Sequence, residues 1–589
     1  MAELVDAHDS KSCTARCEGS SPSFGTTLMQ KSCNHCGETY DIAPEDLVFY
    51  DAVSPVFGGK KYPIPPPEHC PVCRQQRRLA FRNERNIYSR NCDLCGKHMV
   101  SVYWPGAGAF PVYCVKCWWS DKWDASQYGI GYDPSNNFLD QWAVLHETVP
   151  KLAMQNDDGV ESENSEYSYD ISRCKTCYRL IGSWYDHDCH YGLNVNNSKN
   201  VVDCNTVSIR SELVYESLDS QHLYHCAYLQ NCENCHDCFF GYDLKGCSDC
   251  FGCFGLRQKR FCIFNEQKTE TEYQEMITTI DLGSYSAINE ARKRFDEWSL
   301  KFPRLFANLQ NCEDCEGNNL FNCKAVTGYS VFSAEYGKYI DRSDGPIHCY
   351  DMINTGGPQW CLDCVTPDDS YMTLFSIWCW KCKNIILSDN CHSSEHLLGC
   401  ISMHRKKYCI LNKQYSKEEY ERLAGPILES LEQYKSWGSL FPIRLSPFGY
   451  NETGANEYYP LSKEEVRKNN WKWTDDLPYT TGKETVSMEN LPDSITGIPD
   501  SLTAEVLACS QCNRNFKIIP QELTFYRQMP APLPRKCPNC RHLDRFKRKT
   551  PTRLWPRKCD KCGKDFNTAY APGRPEKIYC RGCYMNVIY

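Results

Sequence analysis

The sequence predicts a mainly β chain with small helices. A duplicated, cysteine-rich β-solenoid with helical caps lies between two smaller modules built on cysteine. Three observations predict this. C-x-x-C pairs gather in two sets of four cysteines near each end of the chain. A stretch of the middle returns later without a gap, at an offset of 399 − 252 = 147 residues. Inside that repeat Cys226, Cys238, Cys250 and Cys262 stand 12 residues apart.

At 589 residues the chain is too long for one core, and three or four units are expected. Its 41 cysteines are far above ordinary usage. No apolar leader follows Met1, and no run of about 18 apolar residues occurs. A cytoplasmic location is therefore expected, with no membrane partner. In a reducing compartment, paired cysteines point to zinc before disulfides.

Residues 1–28 resemble nothing downstream. Gly19-Ser20-Ser21-Pro22 back-translates to the T-loop of a tRNA gene, and His8 to Cys13 to an anticodon arm for leucine. The segment is expected to be spurious or disordered, with Met29 as the start. Cys13 and Cys17 then drop out, leaving 41 − 2 = 39 cysteines.

The terminal modules span 29–124 and 501–589. The first reads CNHCGETYDIAPEDLVFYDAV, then EHCPVCRQQRR after a Gly/Pro-rich loop. The second reads CSQCNRNFKIIPQELTFYRQM, then RKCPNCRHLDR. A C-x-x-C turn aims two thiolates at one ion, and a second pair completes a tetrahedron. The candidate ligands are Cys33, Cys36, Cys70 and Cys73, then Cys92, Cys95, Cys114 and Cys117. At the other end they are Cys509, Cys512, Cys537 and Cys540, then Cys559, Cys562, Cys580 and Cys583. About four zinc ions are expected, four thiolates to each. Gly96 and Gly563, just past a second cysteine, suit the tight turn of a knuckle. Units this small bury too little to fold alone, and metal binding supplies about 10 kcal/mol or more. The sites are expected to be structural. Glu68-His69 before Cys70-Pro71-Val72-Cys73 leaves the His-x-Glu of a zinc deaminase incomplete.

These segments resemble the treble-clef zinc-ribbon family of short bacterial proteins. Its pattern C-x-x-C-x-x-x-F…F-Y…P-x-x-C-P-x-C-R is carried by Cys33, Cys36, Tyr40, Phe49, Tyr50, Cys70, Pro71, Cys73 and Arg74. Cys509, Cys512, Phe516, Phe525, Tyr526, Cys537, Pro538, Cys540 and Arg541 carry it again. The resemblance covers about a third of the chain. It implies zinc and a fold, and little about activity.

In the middle, Thr269-x-x-Glu272 and Ser416-x-x-Glu419 are capping boxes that open amphipathic helices. The halves span 173–310 and 311–445. Residues 125–172 read as a helix and an acidic linker, and 446–500 as a loosely structured connection. Residues recurring once per coil form ladders inside a parallel solenoid. Twelve residues make a narrow coil, which leaves open a coil of two such units. The run Cys232, Cys235, Cys238 has the spacing of an iron–sulfur motif. The duplicate tests it: Cys238 falls on Ile385, Cys247 on Ser394 and Cys250 on Leu397. Cluster thiolates could not become Ile and Leu, whereas buried thiols packed as small hydrophobes could. Cys238 is thus expected to face inward. For Cys232/Cys235, Cys379/Cys382, Cys174/Cys177, Cys312/Cys315 and Cys361/Cys364 metal and packing stay open. His222, His225, His236, His392 and His396 offer ligands to such a metal, but on a repeat surface they are expected to be exposed.

Charge is uneven. Residues 501–589 carry 18 Lys and Arg against 6 Asp and Glu, or +12 in a chain of −8. The candidates for contact with nucleic acid or a ribonucleoprotein are Arg541, Arg545, Lys547, Arg548, Lys549, Trp555, Arg557 and Lys558. Arg74, Arg77 and Arg78 are their counterparts in the first module. Cations interleaved with aromatics suit phosphate neutralisation and base stacking. The alternative is a scaffold, with the basic run docking on protein, including the chain's own acidic middle. A thiol redox protein is a third reading. No nucleotide loop, Ser-His-Asp order or carboxylate pair points to an enzyme.

Overall fold

The computed structural model describes residues 28–156, 162–341, 350, 361–363, 365 and 370–588. All but Leu28 of the tRNA-like segment falls outside them, as does Cys364. The chain is mainly β, with small helices and the expected solenoid at its centre.

Short parallel strands stack at one-coil intervals, with Tyr169 beside Ile181, Ile181 beside Leu193 and Leu193 beside Asn205. The 12-residue unit is thus a whole coil, and the double-length alternative does not occur here. One coil of the first half holds an extra residue, pairing Asn205 with Leu218. Early coils of the second half are one residue short, pairing Leu309 with Leu320.

A coil this tight is possible because the backbone turns left-handed at every third residue. Asp188, Tyr191, Asn194 and Asn197 have φ of 53°, 56°, 62° and 50°. Asn, Asp and Gly tolerate that region best, which is why they punctuate the repeat. Each coil then has four corners, and the residue after each corner points inward. In one coil these are Cys174, Cys177, Leu180 and Ser183, at most 2% exposed.

The three-residue period explains the middle C-x-x-C pairs. They are neighbouring inward positions in a bore that takes small and medium side chains. The thiol also has a polar task there. Cys189 donates to the carbonyl of His187 at 3.2 Å, as the Ser183 hydroxyl does to Ile181 at 3.2 Å. Cys204 Sγ accepts the Ser217 amide at 3.3 Å, as Ser183 Oγ accepts that of Val195 at 3.2 Å. Cys232, Cys235, Cys379 and Cys382 are buried and bonded to carbonyls in the same way. These pairs are therefore wall. Cys238 is fully buried, its thiol 3.3 Å from the carbonyl of His236. Cys238→Ala should lower the urea midpoint by an amount worth about 1–2 kcal/mol and leave the metal content unchanged. Iron in anaerobically purified protein that disappears in this variant would contradict the packing role.

The solenoid begins earlier than expected. Glu163 already bridges to Lys175, and Ser165 and Ser168 are buried inside. Both halves end alike, in a hairpin strand and a capped helix. The caps are Glu270–Thr278, with Tyr285–Ser299 behind it, and Lys417–Gln433. Thr269 Oγ1 accepts the Glu272 amide at 3.3 Å, and Ser416 Oγ that of Glu419 at 3.1 Å.

The first half of 446–500 is not a loose connection, whereas 475–487 is mostly exposed and without helix or strand. Tyr450 and Val466 are buried with Leu79 and Ala80, and Trp471 stacks on Tyr450 at 5.3 Å. The segment wedges a small aromatic core against the first module.

The terminal modules sit crosswise. The N-terminal module and the helix Phe138–His146 that follows it cover the second half: Phe49 stacks on Tyr350 at 4.3 Å and Trp142 on Phe441 at 4.0 Å. The C-terminal module covers the first half. Tyr526 meets Tyr215 at 5.6 Å, and the Tyr570 and Tyr242 hydroxyls are 3.0 Å apart. The last helix comes so close that a Cβ on Gly255 would lie 2.3 Å from Ile588. Among the described residues no helix is long and apolar enough to cross a membrane.

Candidate metal centres

Each of the four centres is built in the same way. A two-strand hairpin supplies two cysteines from its turn, and the start of a helix supplies two more. The hairpins are Met29–Ser32 with Thr39–Ile42, Tyr88–Asn91 with His98–Ser101, Leu507–Ala508 with Asn515–Phe516, and Trp555–Lys558 with Asp565–Thr568. The helices are Pro71–Leu79, Val115–Trp118, Pro538–Arg548 and Arg581–Ile588. Cys70, Cys114 and Cys537 are the residues before their helices, so one thiol precedes the helix and its partner sits in the first turn.

The hairpin turn needs a left-handed residue after the second cysteine. Gly37, Gly96 and Gly563 take it with φ of 76°, 72° and 75°, and Asn513 with 57°. The turn closes with the amide of that residue on the first cysteine's carbonyl, at 2.9 Å for both Gly37 and Gly563.

The sixteen predicted ligands fall into four tetrads, with the Sγ atoms of each within 4.8 Å of one another. Cys36–Cys70, Cys512–Cys537 and Cys562–Cys580 are 3.7 Å apart, and Cys95–Cys114 4.0 Å. A tetrahedron with metal–sulfur bonds of about 2.3 Å has edges of about 3.8 Å, so the donor sets fit one ion each. Backbone amides also point at sulfur. Cys114, Cys537 and Cys580 donate to Cys92, Cys509 and Cys559 at 3.3, 3.2 and 3.3 Å. Burial pushes the Cys559 thiol up, but the amides of Cys580, Cys562 and Lys561 outweigh it and bring it down to about 6. The same balance brings Cys92 and Cys509 to about 7. Burial and the neighbouring thiols push Cys117, Cys540 and Cys583 up instead, so in each of these three tetrads the first cysteine is the one poised to lose its proton. Among the described residues these tetrads are the sets that could hold a metal ion.

The basic residues are placed otherwise than their sequence suggested. Arg74, Arg78, Arg541, Arg545 and Lys549 are buried; Arg77, Arg548, Trp555 and Arg557 are half-buried; Lys547 and Lys558 are exposed. Arg545 lies 2.7 Å from Asp203, a residue with no exposed surface. Arg541 lies 3.0 Å from both Asp203 and Glu522. Two guanidinium groups thus face two carboxylates in the joint between module and solenoid. Burial alone would lower the Arg541 guanidinium, but Asp203, Tyr526 and Glu522 hold it charged, well above its ordinary range. Arg78 stands where Arg545 stands in its own module, and it too ends on a solenoid carboxylate, Asp363. Arg74 donates to the His69 carbonyl at 2.9 Å, and Arg77 to that of Leu440 at 3.2 Å. The expectation that Arg74, Arg78, Arg541 and Arg545 touch phosphate is corrected: they are buried inside the protein, and Arg78, Arg541 and Arg545 are paired there with carboxylates. Charge density along the sequence could not show this, because Asp203 is 342 residues from Arg545. His392 is likewise buried rather than exposed, 4.9 Å from the ring of Trp119.

Comparison with family models, with curated proteins and with solved structures finds no match.

Proposed function

We propose that this chain is a zinc-braced, non-catalytic scaffold in a reducing compartment, whose terminal modules dock on its own solenoid. The burial of Arg541 and Arg545 against Asp203 carries the reading. A basic run meant for phosphate would stay in water, whereas one meant for a protein joint is desolvated and paired. Zinc is the ion that four thiolates in a tetrahedron suit best. Four protein ligands fill its coordination, which supports a structural role over catalysis. The hairpin-plus-helix build supports the treble-clef resemblance of both modules. The 37 described cysteines carry no disulfide, which supports a reducing compartment.

The test is hydrogen exchange on the full chain with metal bound and after chelation. Zinc analysis should give about four ions per chain. Chelation should raise exchange around Asp203 and Tyr215, and around Leu362 and Phe375, as the modules leave their seats. Unchanged protection at both faces would sink the docking role.

A further inference from the structure

A cleft of about 230 Å³ opens where the two modules, the first solenoid half and the 446–500 wedge meet. Four cations line it: Arg85, Arg179, Arg514 and Lys517. The carboxylate in its lining, Glu84, is already bonded by Arg82. Arg85 is answered by Glu457 at 3.1 Å. Arg179 donates to the Arg85 carbonyl at 3.4 Å and Lys517 to that of Ala504 at 3.1 Å, while the Arg514 guanidinium lies 3.7 Å over the Tyr479 ring. None of these last three has a carboxylate partner among the described residues.

Five aromatic residues, Tyr167, Tyr178, Tyr191, Tyr479 and Phe516, share the lining with apolar side chains such as Ile87 and Ile181. Tyr479 and Tyr167 keep 44% and 43% of their surface exposed, although they sit in a cleft. Tyr178 stands behind Tyr167 at 5.4 Å. Unpaired cations beside open rings offer two contacts at once: phosphate to the guanidinium groups, and a planar ring to the tyrosines. The volume lies just below the usual range for small-molecule sites, which suits about one nucleotide rather than a folded polymer.

We propose that this cleft binds a phosphorylated nucleoside, free or as one unit of a single strand. The site goes beyond the scaffold reading but rests on its closed arrangement, which the exchange experiment measures separately.

The test uses the full, metal-loaded chain. Saturation-transfer NMR with the four ribonucleoside 5′-monophosphates should show ring contact, with Kd below about 1 mM for at least one of them. Inorganic phosphate should bind about tenfold more weakly, since it lacks the ring. Replacing Arg179 and Arg514 together with Ala should weaken binding about tenfold or more. Tyr479→Ala should weaken it about fivefold or more, and Tyr479→Phe much less. Metal content and thermal transition should stay unchanged in all three variants. If a short oligothymidylate binds and the monophosphates do not, with the same variants losing it, the ligand is strand-borne and the site stands. Phosphate binding as tightly as nucleotides would overturn the proposal, and so would no binding by nucleotide or strand, or binding indifferent to the arginine pair.

Discussion

Cys537→Ser is expected to release one metal ion and unfold the first half of the basic module, around Cys509 to Arg548, while the solenoid persists. The thiol of Cys537 sits before the helix Pro538–Arg548, and Cys540 in its first turn supplies the fourth ligand. The hairpin opposite is two residues per strand and has no independent stability. Metal binding contributes about 10 kcal/mol or more to such a unit, more than its small core can replace. Metal analysis should fall by one ion. Near-ultraviolet circular dichroism should lose the signal of the aromatics under the module, including Tyr526 and Tyr215. Far-ultraviolet β signal should remain, because the coils are held by their own ladders. A variant that keeps all its metal would show that Cys537 is not a ligand, and a solenoid that melts at the same midpoint as the module would show that the two are one folding unit.

The second large effect is expected at Asp203→Ala. The variant leaves Arg541 and Arg545 buried, with Glu522 as the remaining paired carboxylate, on Arg541. Removing one partner of a buried ion cluster costs about 3–5 kcal/mol, because the orphaned charge stays desolvated. Exposed Lys547 and Lys558 make the comparison: changing either to Ser should move stability by no more than about 0.5 kcal/mol. Urea denaturation of the three variants separates the cases. If Asp203→Ala matches the lysine variants, the joint is not held by this network.

What was legible in the sequence was what short spacing encodes. Cys33 and Cys36 bend toward one ion because two residues between them form a turn, and that geometry is local. The same holds for the capping boxes at Thr269 and Ser416. The duplicate resolved Cys238 and Cys250, since Ile385 and Leu397 can stand where they do only if packing is the task. The other wall cysteines stayed open between metal and packing because one spacing serves two structures: C-x-x-C is a turn that gathers thiolates in a hairpin and two successive inward positions in a three-residue repeat. The fate of Arg541 and Arg545 was not legible. Their partner is remote in sequence, and a cation looks alike in sequence whether it ends in water or against a buried carboxylate. The cleft was hidden for the same reason, since Arg179, Tyr479 and Arg514 come together only on folding.

The crosswise seating of the modules sets an order of events during synthesis. Arg78 leaves the ribosome long before its seat at Asp363, which lies 285 residues further on. At about 5–20 residues per second the wait is on the order of 15–60 s. For that time Phe49 lacks the Tyr350 ring and Trp142 the Phe441 ring that cover them, and the N-terminal segment is a folded piece with a sticky side. The last module faces no such delay, because its seat on the first half has already been made. A nascent chain stalled before residue 350 is therefore the species most exposed to aggregation and most in need of a chaperone.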